Sequence, residues 1–118
     1  MNKTIQASSK TPQVVIDSDT STVSLTGVLI PEQPSVFFDE ITADIHKLYE
    51  QNNKITIEFE INYINTAASK HLYNFIVFFR AKPNVEIVWI YQEDDDDILD
   101  CGKDFEEMTG VKFSYVVV

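Results

Sequence analysis

Strands and helices alternate strictly through the second half of this chain. Apolar and polar residues alternate over 55–63, while 85–91 is almost continuously apolar and 112–118 is rich in aromatic and β-branched residues. The segment from about 67 to 81 and the one that follows the aspartates at 94–97 carry apolar residues at steps of three and four, which indicates amphipathic helices. Strands separated by helices pair in parallel through right-handed crossovers. This pattern restricts the fold to the α/β class.

The first half of the chain adds a hairpin and one more helix. Residues 13–17 and 22–26 are short β-branched segments with a polar turn between them. Ser35 is a candidate cap for a helix that ends near residue 52. We therefore expect a mixed five-stranded sheet with three main helices, formed by residues 11–118 as a single domain. The polar segment 1–10 is expected to be flexible.

The periodicity also predicts which side chains are buried. The first helix should bury a stripe made of Phe37, Phe38, Ile41, Ile45, Leu48 and Tyr49. The third helix should bury Ile98, Cys101, Phe105 and Met108. Glu58 and Glu60 lie two residues apart in one strand and must share a face, which is either solvated or covered by a partner.

Charge and cysteine content exclude several classes of function. The 118 residues include 19 acidic and 9 basic ones, for a net charge of −10. Such a field repels nucleic acid and anionic lipid, so neither is an expected partner. The chain has one cysteine, which rules out an internal disulfide and favours the cytoplasm. No apolar run approaches the roughly 20 residues that a membrane-spanning helix requires.

The junction at residues 65–69 is the strongest candidate for a functional site. Thr66 stands where a strand passes into the N-terminus of a helix, and unpaired amides and the helix dipole favour negative charge there. Two interpretations remain open: Thr66 is the N-cap of the helix, or Thr66 accepts a phosphate. Ser69 is a competing acceptor, and Tyr63 is placed to line the same region.

Evidence for catalysis is weak. The aspartates at 94–97 suggest a Mg²⁺ or Ca²⁺ site, and a metal-dependent enzyme that binds Mg²⁺ or Mn²⁺ there is the catalytic alternative. The spacing of a calcium loop is absent, however, and acidic residues also favour a helix start. His46 and His71 have no Cys or His at ligand spacing. Cys101 fits an apolar stripe better than a nucleophile. We expect no enzyme activity, no metal and no cofactor.

Three segments, in order along the chain, carry a resemblance to a known family. They are residues 11–17 followed by 25–27 and 30–33; the motif Tyr63-Ile64-Asn65-Thr66; and a closing third that contains Trp89-Ile90-Tyr91, the acidic run, Gly102-Lys103-Asp104-Phe105 and the last strand. In these segments the chain resembles the SiaC family of bacterial regulatory phosphoproteins, whose fold is similar to the STAS domain of anti-sigma-factor antagonists. The chain departs from the family pattern at Ile30, Gln33, Ala67 and Ala68.

The resemblance implies a function that the composition does not reveal. Family members are small cytosolic proteins that a dedicated Thr/Ser kinase phosphorylates on the motif threonine and a PP2C-like phosphatase dephosphorylates. The unphosphorylated form binds and activates a GGDEF diguanylate cyclase and so raises cyclic di-GMP. For this chain, the resemblance implies a STAS-like domain with Thr66 as the acceptor. The expected partner-binding surface consists of Tyr63, Asn65, Thr66, Ala67, Ser69 and Lys70. An anti-sigma-factor antagonist that captures an anti-sigma kinase is the alternative.

Overall fold

Six strands form one mixed sheet, and three helices connect its parallel part. The computed structural model describes residues 2–118. The strands are β1 (Asn2–Ile5), β2 (Gln13–Asp17), β3 (Thr22–Leu29), β4 (Ile55–Ile64), β5 (Val85–Tyr91) and β6 (Phe113–Val117), and the helices are α1 (Pro34–Asn52), α2 (Thr66–Arg80) and α3 (Asp96–Thr109). The strand order in the sheet is β1-β2-β3-β4-β5-β6. The pairs β1–β2 and β2–β3 are antiparallel, whereas β3–β4, β4–β5 and β5–β6 are parallel.

The mixed sheet, the N-terminal hairpin and the three helices confirm the fold class, but the predicted number of five strands is wrong. The sixth strand is β1, which lies in the segment expected to be flexible and pairs antiparallel with β2 from Asn2–Asp17 to Ile5–Val14. Lys3 also forms a salt bridge of 2.8 Å with Asp44. Backbone pairing along a sheet edge needs no apolar pattern, and β1 is exposed except for a half-buried Ile5. Its sequence therefore carried no strand signal.

The core lies between the helices and one face of the sheet. Alternate residues of β2 to β6 point into it, and α2 lies between α1 and α3, since it packs against both. The predicted stripe of α1 is confirmed, with Phe37 half-buried at its edge. Ser35 is not the cap of α1, because the helix starts at Pro34, whose fixed φ and missing N–H suit the first helical position.

The opposite face of the sheet carries Glu58 and Glu60. Both side chains are half-buried, and neither forms an ion pair with any residue in the range 2–118. Their neighbours Ile57, Phe59 and Ile61 point into the core, as strand alternation requires. Within the same range, no helix combines the length and the apolar character needed to cross a membrane.

Trp89 fixes α3 against the sheet. Its indole is fully buried and its Nε1 donates a hydrogen bond of 2.8 Å to the Ile98 carbonyl. The rings of Phe59, Phe105 and Phe113 surround it, with centroid distances of 5.8 to 6.0 Å. Gly102 faces the indole directly, and the absence of a side chain there allows α3 to approach β5.

A second contact ties α3 to the edge strand β6. The Glu106 carboxylate accepts hydrogen bonds of 2.7 Å from the Phe113 backbone N–H and the Tyr115 hydroxyl. The Phe113 amide, followed by the Tyr115 hydroxyl, lowers the pKa of Glu106. Burial, together with the hydrogen bond to Glu106, raises the pKa of Tyr115. The position of α3 is therefore fixed from two sides, by Trp89 and by β6.

Candidate functional site

The junction between β4 and α2 is capped by Asn65, not by Thr66. The backbone of Asn65 is extended, with φ −92° and ψ 172°, and its Oδ1 accepts a hydrogen bond of 2.9 Å from the Ala68 N–H. The Asn65 carbonyl accepts the first helical hydrogen bond, from the Ser69 N–H at 2.9 Å. The interpretation of Thr66 as the N-cap is therefore wrong, since the residue before it performs that role.

Thr66 occupies the first position inside α2. Its side chain is exposed, and its hydroxyl makes no hydrogen bond with any residue in the part of the chain that the structure describes. The backbone N–H groups of the first helical turn and the positive end of the helix dipole lie beside it. The N-terminus of α2 would stabilise a negative group on this oxygen, and modification of the hydroxyl would break no hydrogen bond within residues 2–118.

The other residues predicted to bind a partner surround Thr66 along the chain. Tyr63, at the end of β4, is 58% exposed, whereas the only other large aromatic side chain exposed among residues 2–118, Phe78, is 45% exposed. Ala67 and Lys70 are exposed, whereas Asn65 and Ser69 are half-buried. The structure thus presents an exposed aromatic ring, a hydroxyl and an ammonium group at one end of the sheet.

A groove between α2 and α3 extends this surface. Its volume is about 600 Å³, and it is lined by Ser69, Lys70, Tyr73, Cys101, Asp104, Phe105 and Met108. Met108 is 56% exposed, so the prediction that it belongs to the buried stripe is wrong, whereas Cys101 is half-buried and packs against the core at the edge of the stripe. The stripe of α3 consists instead of Ile98, Gly102, Phe105 and Thr109. It is rotated relative to the prediction because a glycine and a threonine, rather than the larger apolar residues, face the sheet.

Two polar interactions make this rotation favourable. The Thr109 hydroxyl donates to the Phe105 carbonyl at 2.7 Å, which satisfies it inside the core. Arg80 of α2 donates to the Thr109 carbonyl at 2.9 Å and joins the ends of the two helices. Hydropathy alone gives no signal for either contact, and sequence reasoning missed the groove for that reason.

Cys101 is a protonated thiol at neutral pH. Burial, and secondarily the Asp104 carboxylate, raises the pKa of its thiol to about 11. Because the thiolate is the nucleophilic form, this residue is poorly suited to covalent catalysis. Its position in the groove nevertheless makes it the one natural thiol from which the groove can be probed.

The acidic run forms the start of α3. Asp95 is the N-cap, since its Oδ1 accepts a hydrogen bond of 3.0 Å from the Ile98 N–H, and Asp96 and Asp97 lie in the first turn. The helix-start interpretation is confirmed for these residues. Across residues 2–118, no three His, Cys, Asp or Glu side chains converge as a metal site would require.

The two histidines belong to the packing of α1 and α2. His46 lies 2.9 Å from Glu50, one turn further along α1. His71 stacks on Phe38, with ring centroids 6.3 Å apart. Neither histidine lines the groove that contains Cys101, so neither is positioned there as a base for its thiol.

The capping geometry predicts unequal effects on stability for two neighbouring substitutions. Asn65→Ala removes the cap of α2 and should lower the free energy of unfolding by about 1 kcal/mol. Thr66→Ala removes an exposed hydroxyl without a partner and should change it by less than about 0.5 kcal/mol. Urea denaturation of both variants measures these differences. Equal losses for the two variants, or a larger loss for Thr66→Ala, would contradict the assignment of the cap.

The sheet order, the exposed threonine and the adjoining groove define a small α/β domain with an exposed hydroxyl beside an open apolar groove. A family model described as SiaC family regulatory phosphoprotein matches residues 5–118, and the chain belongs to this family. A search of curated proteins found no match.

Three solved structures share the fold over almost their full length. Apo-SiaC from Pseudomonas aeruginosa is 14% identical with a TM-score of 0.75, covering 99% of this chain and 98% of that chain. A second structure of SiaC from the same organism is 17% identical with a TM-score of 0.79, covering 100% and 98%. The crystal structure of the diguanylate cyclase SiaD in complex with its activator SiaC, again from P. aeruginosa, matches at 16% identity with a TM-score of 0.82, covering 98% and 97%. At these identities the likeness establishes the fold.

Proposed function

We propose that this protein is a non-enzymatic regulator that binds and activates a GGDEF diguanylate cyclase, and that phosphorylation of Thr66 turns this activity off. The observation that carries the proposal is the position of Thr66, exposed and free of capping duty at the start of α2. Membership of a family of regulatory phosphoproteins supports it. So does the similarity in fold to a SiaC protein that was crystallised as the activator of a diguanylate cyclase.

Thr66 is a better acceptor than Ser69. Ser69 is half-buried and lines the groove, so a kinase would have to reach it past the side chains of α3. A phosphate on Thr66 adds about −1.5 to −2 charge beside the free amides of the first turn, where the helix stabilises it. The domain should therefore keep its fold while its surface changes charge.

The proposed docking surface consists of the residues around this threonine: Tyr63, Asn65, Thr66, Ala67, Ser69 and Lys70. Exposed aromatic residues are frequent centres of protein interfaces, and Tyr63 is the aromatic residue of this group. A dedicated Thr/Ser kinase and a PP2C-like phosphatase would set the phosphorylation state of Thr66 in the cytoplasm. Nucleic acid and membranes are not proposed partners, in keeping with the net charge of −10.

Reconstitution with purified components tests the proposed activity. The unphosphorylated protein is mixed with the GGDEF-domain cyclase encoded by the same organism and with GTP, and production of cyclic di-GMP is followed. We expect the rate to rise with protein concentration and to saturate. A rate that stays constant, with an anti-sigma kinase captured instead from a native extract, would favour the anti-sigma-factor antagonist. Mass mapping of protein from its native host should locate a single phosphate on Thr66.

A further inference from the structure

We infer that the groove between α2 and α3 seats an amphipathic helix of the cyclase, with apolar side chains in the groove and an acidic and a basic side chain at its two rims. This inference rests on the proposed function and extends the docking surface from α2 to α3. The docking surface proposed above lies within residues 62–70 and does not include α3, so the contribution of α3 is the new element. The shape, the lining and the charges of the groove support this occupant.

The groove is open to solvent and its lining is largely apolar. Half-buried Tyr73 forms the accessible floor above Phe105, which is only 2% exposed, and Met108 stands at the edge with 56% of its surface exposed. Its volume of about 600 Å³ accommodates more than one large side chain. A helix that places apolar residues at i and i+4 fills a groove of this shape, and a flexible methionine adapts to them.

The two rims carry opposite charges that are not paired within the described chain. Lys70 stands on α2 and Asp104 stands on α3, and neither forms a salt bridge with another residue of the range 2–118. Charge complementarity therefore calls for a partner helix with a carboxylate on the α2 side and a lysine or arginine on the α3 side. A purely apolar peptide or an acidic one would leave a rim charge unpaired.

The groove is also continuous with the phosphorylation site. Lys70 follows Thr66 by four residues, so the two side chains lie one above the other on the same face of α2. A phosphate on Thr66 would compete with the partner carboxylate for the Lys70 ammonium. Lys70 therefore belongs both to the groove and to the surroundings of Thr66. Binding of the partner helix in the groove should depend on whether Thr66 is phosphorylated.

Cys101 supplies a footprint of the groove in the native chain, because it is the only cysteine in the sequence. Alkylation by N-ethylmaleimide at mildly alkaline pH is followed by intact mass, with and without the purified GGDEF cyclase. With the cyclase at ten times its Kd, mass action predicts that alkylation of Cys101 slows roughly tenfold. In the control variant C101A/A43C, the thiol lies on the exposed face of α1 and its alkylation rate should not change.

A pair of substitutions tests the contact itself. Met108→Asp places a charge in the groove at an exposed position, and it should weaken cyclase binding by roughly 30-fold, as for the loss of an interface hot spot. Ala43→Asp adds the same charge on the exposed face of α1 and should leave binding unchanged. A cyclase that binds without protecting Cys101, or that binds M108D as tightly as A43D, overturns the groove inference alone. A cyclase that does not bind at all overturns the proposed function and this inference with it.

Discussion

Thr66→Glu should weaken cyclase binding by about 100-fold, whereas Thr66→Ala should leave the protein permanently active. A carboxylate at this position stands in for the proposed phosphate and places a negative charge in the middle of the proposed docking surface. Because this carboxylate competes for Lys70, four residues further along α2, the carboxylate of the cyclase is left without its counter-charge. A charge without a partner in a desolvated interface costs several kcal/mol, and about 3 kcal/mol corresponds to a factor of about 100 in Kd. Calorimetric titration of the cyclase measures the affinity, and cyclic di-GMP production measures the consequence.

Thr66→Gln is the matched control for this prediction. Glutamine has the size and shape of glutamate but no charge, so it separates repulsion from steric obstruction. We expect Gln to bind much more tightly than Glu, and thermal unfolding to show that all three variants are folded. If the Thr66→Glu variant and the wild type bind the cyclase with equal affinity, Thr66 is not the switch. Equal weakening by Gln and Glu would show that bulk, not charge, blocks the interface.

The sequence predicted most of the fold because periodicity reports which face of an element is buried. The alternation at Ile57, Phe59 and Ile61 predicted β4 and its inward face, and the helical steps of α1 predicted its stripe. These patterns arise from burial itself, so they can be read without knowledge of what covers each face. The order of elements then left few arrangements for a parallel sheet.

Features that depend on a single polar contact were not predictable in the same way. Asn65 and Thr66 are both good N-cap residues, and only the backbone conformation decided that Asn65 caps while Thr66 stays free. The rotation of α3, which exposes Met108 and opens the groove, depends on Gly102 and on the hydrogen bond of Thr109. Periodicity assigned the face of α3 by hydropathy, and hydropathy gives little weight to a glycine and a threonine.

Gly102 is where the largest loss of stability is expected. In an ordinary exposed helix, Gly→Ala is favourable by about 1 kcal/mol. Here a Cβ on residue 102 would lie 2.5 Å from Cδ1 and Nε1 of Trp89 and 2.8 Å from Cε2, closer than unbonded atoms approach. The indole cannot retreat, because it is fully buried and hydrogen-bonded to Ile98. Gly102→Ala should therefore lower the free energy of unfolding by about 2–3 kcal/mol, as overpacked cores do.

A double-mutant cycle with Trp89→Phe shows whether this clash is the cause. Phenylalanine lacks the pyrrole ring that holds the three closest atoms, so Gly102→Ala should cost much less in that background, and urea denaturation of the four proteins measures the difference. The same cycle reaches the groove, because α3 must move away from β5 to relieve the clash and Cys101 moves with it. We expect Cys101 to be alkylated faster in Gly102→Ala than in the wild type, and the rate to return to the wild-type value when Trp89→Phe is added. This result would link core packing to the shape of the proposed docking surface. Additive losses in the cycle would instead mean that the glycine is required by the helix backbone and not by the indole.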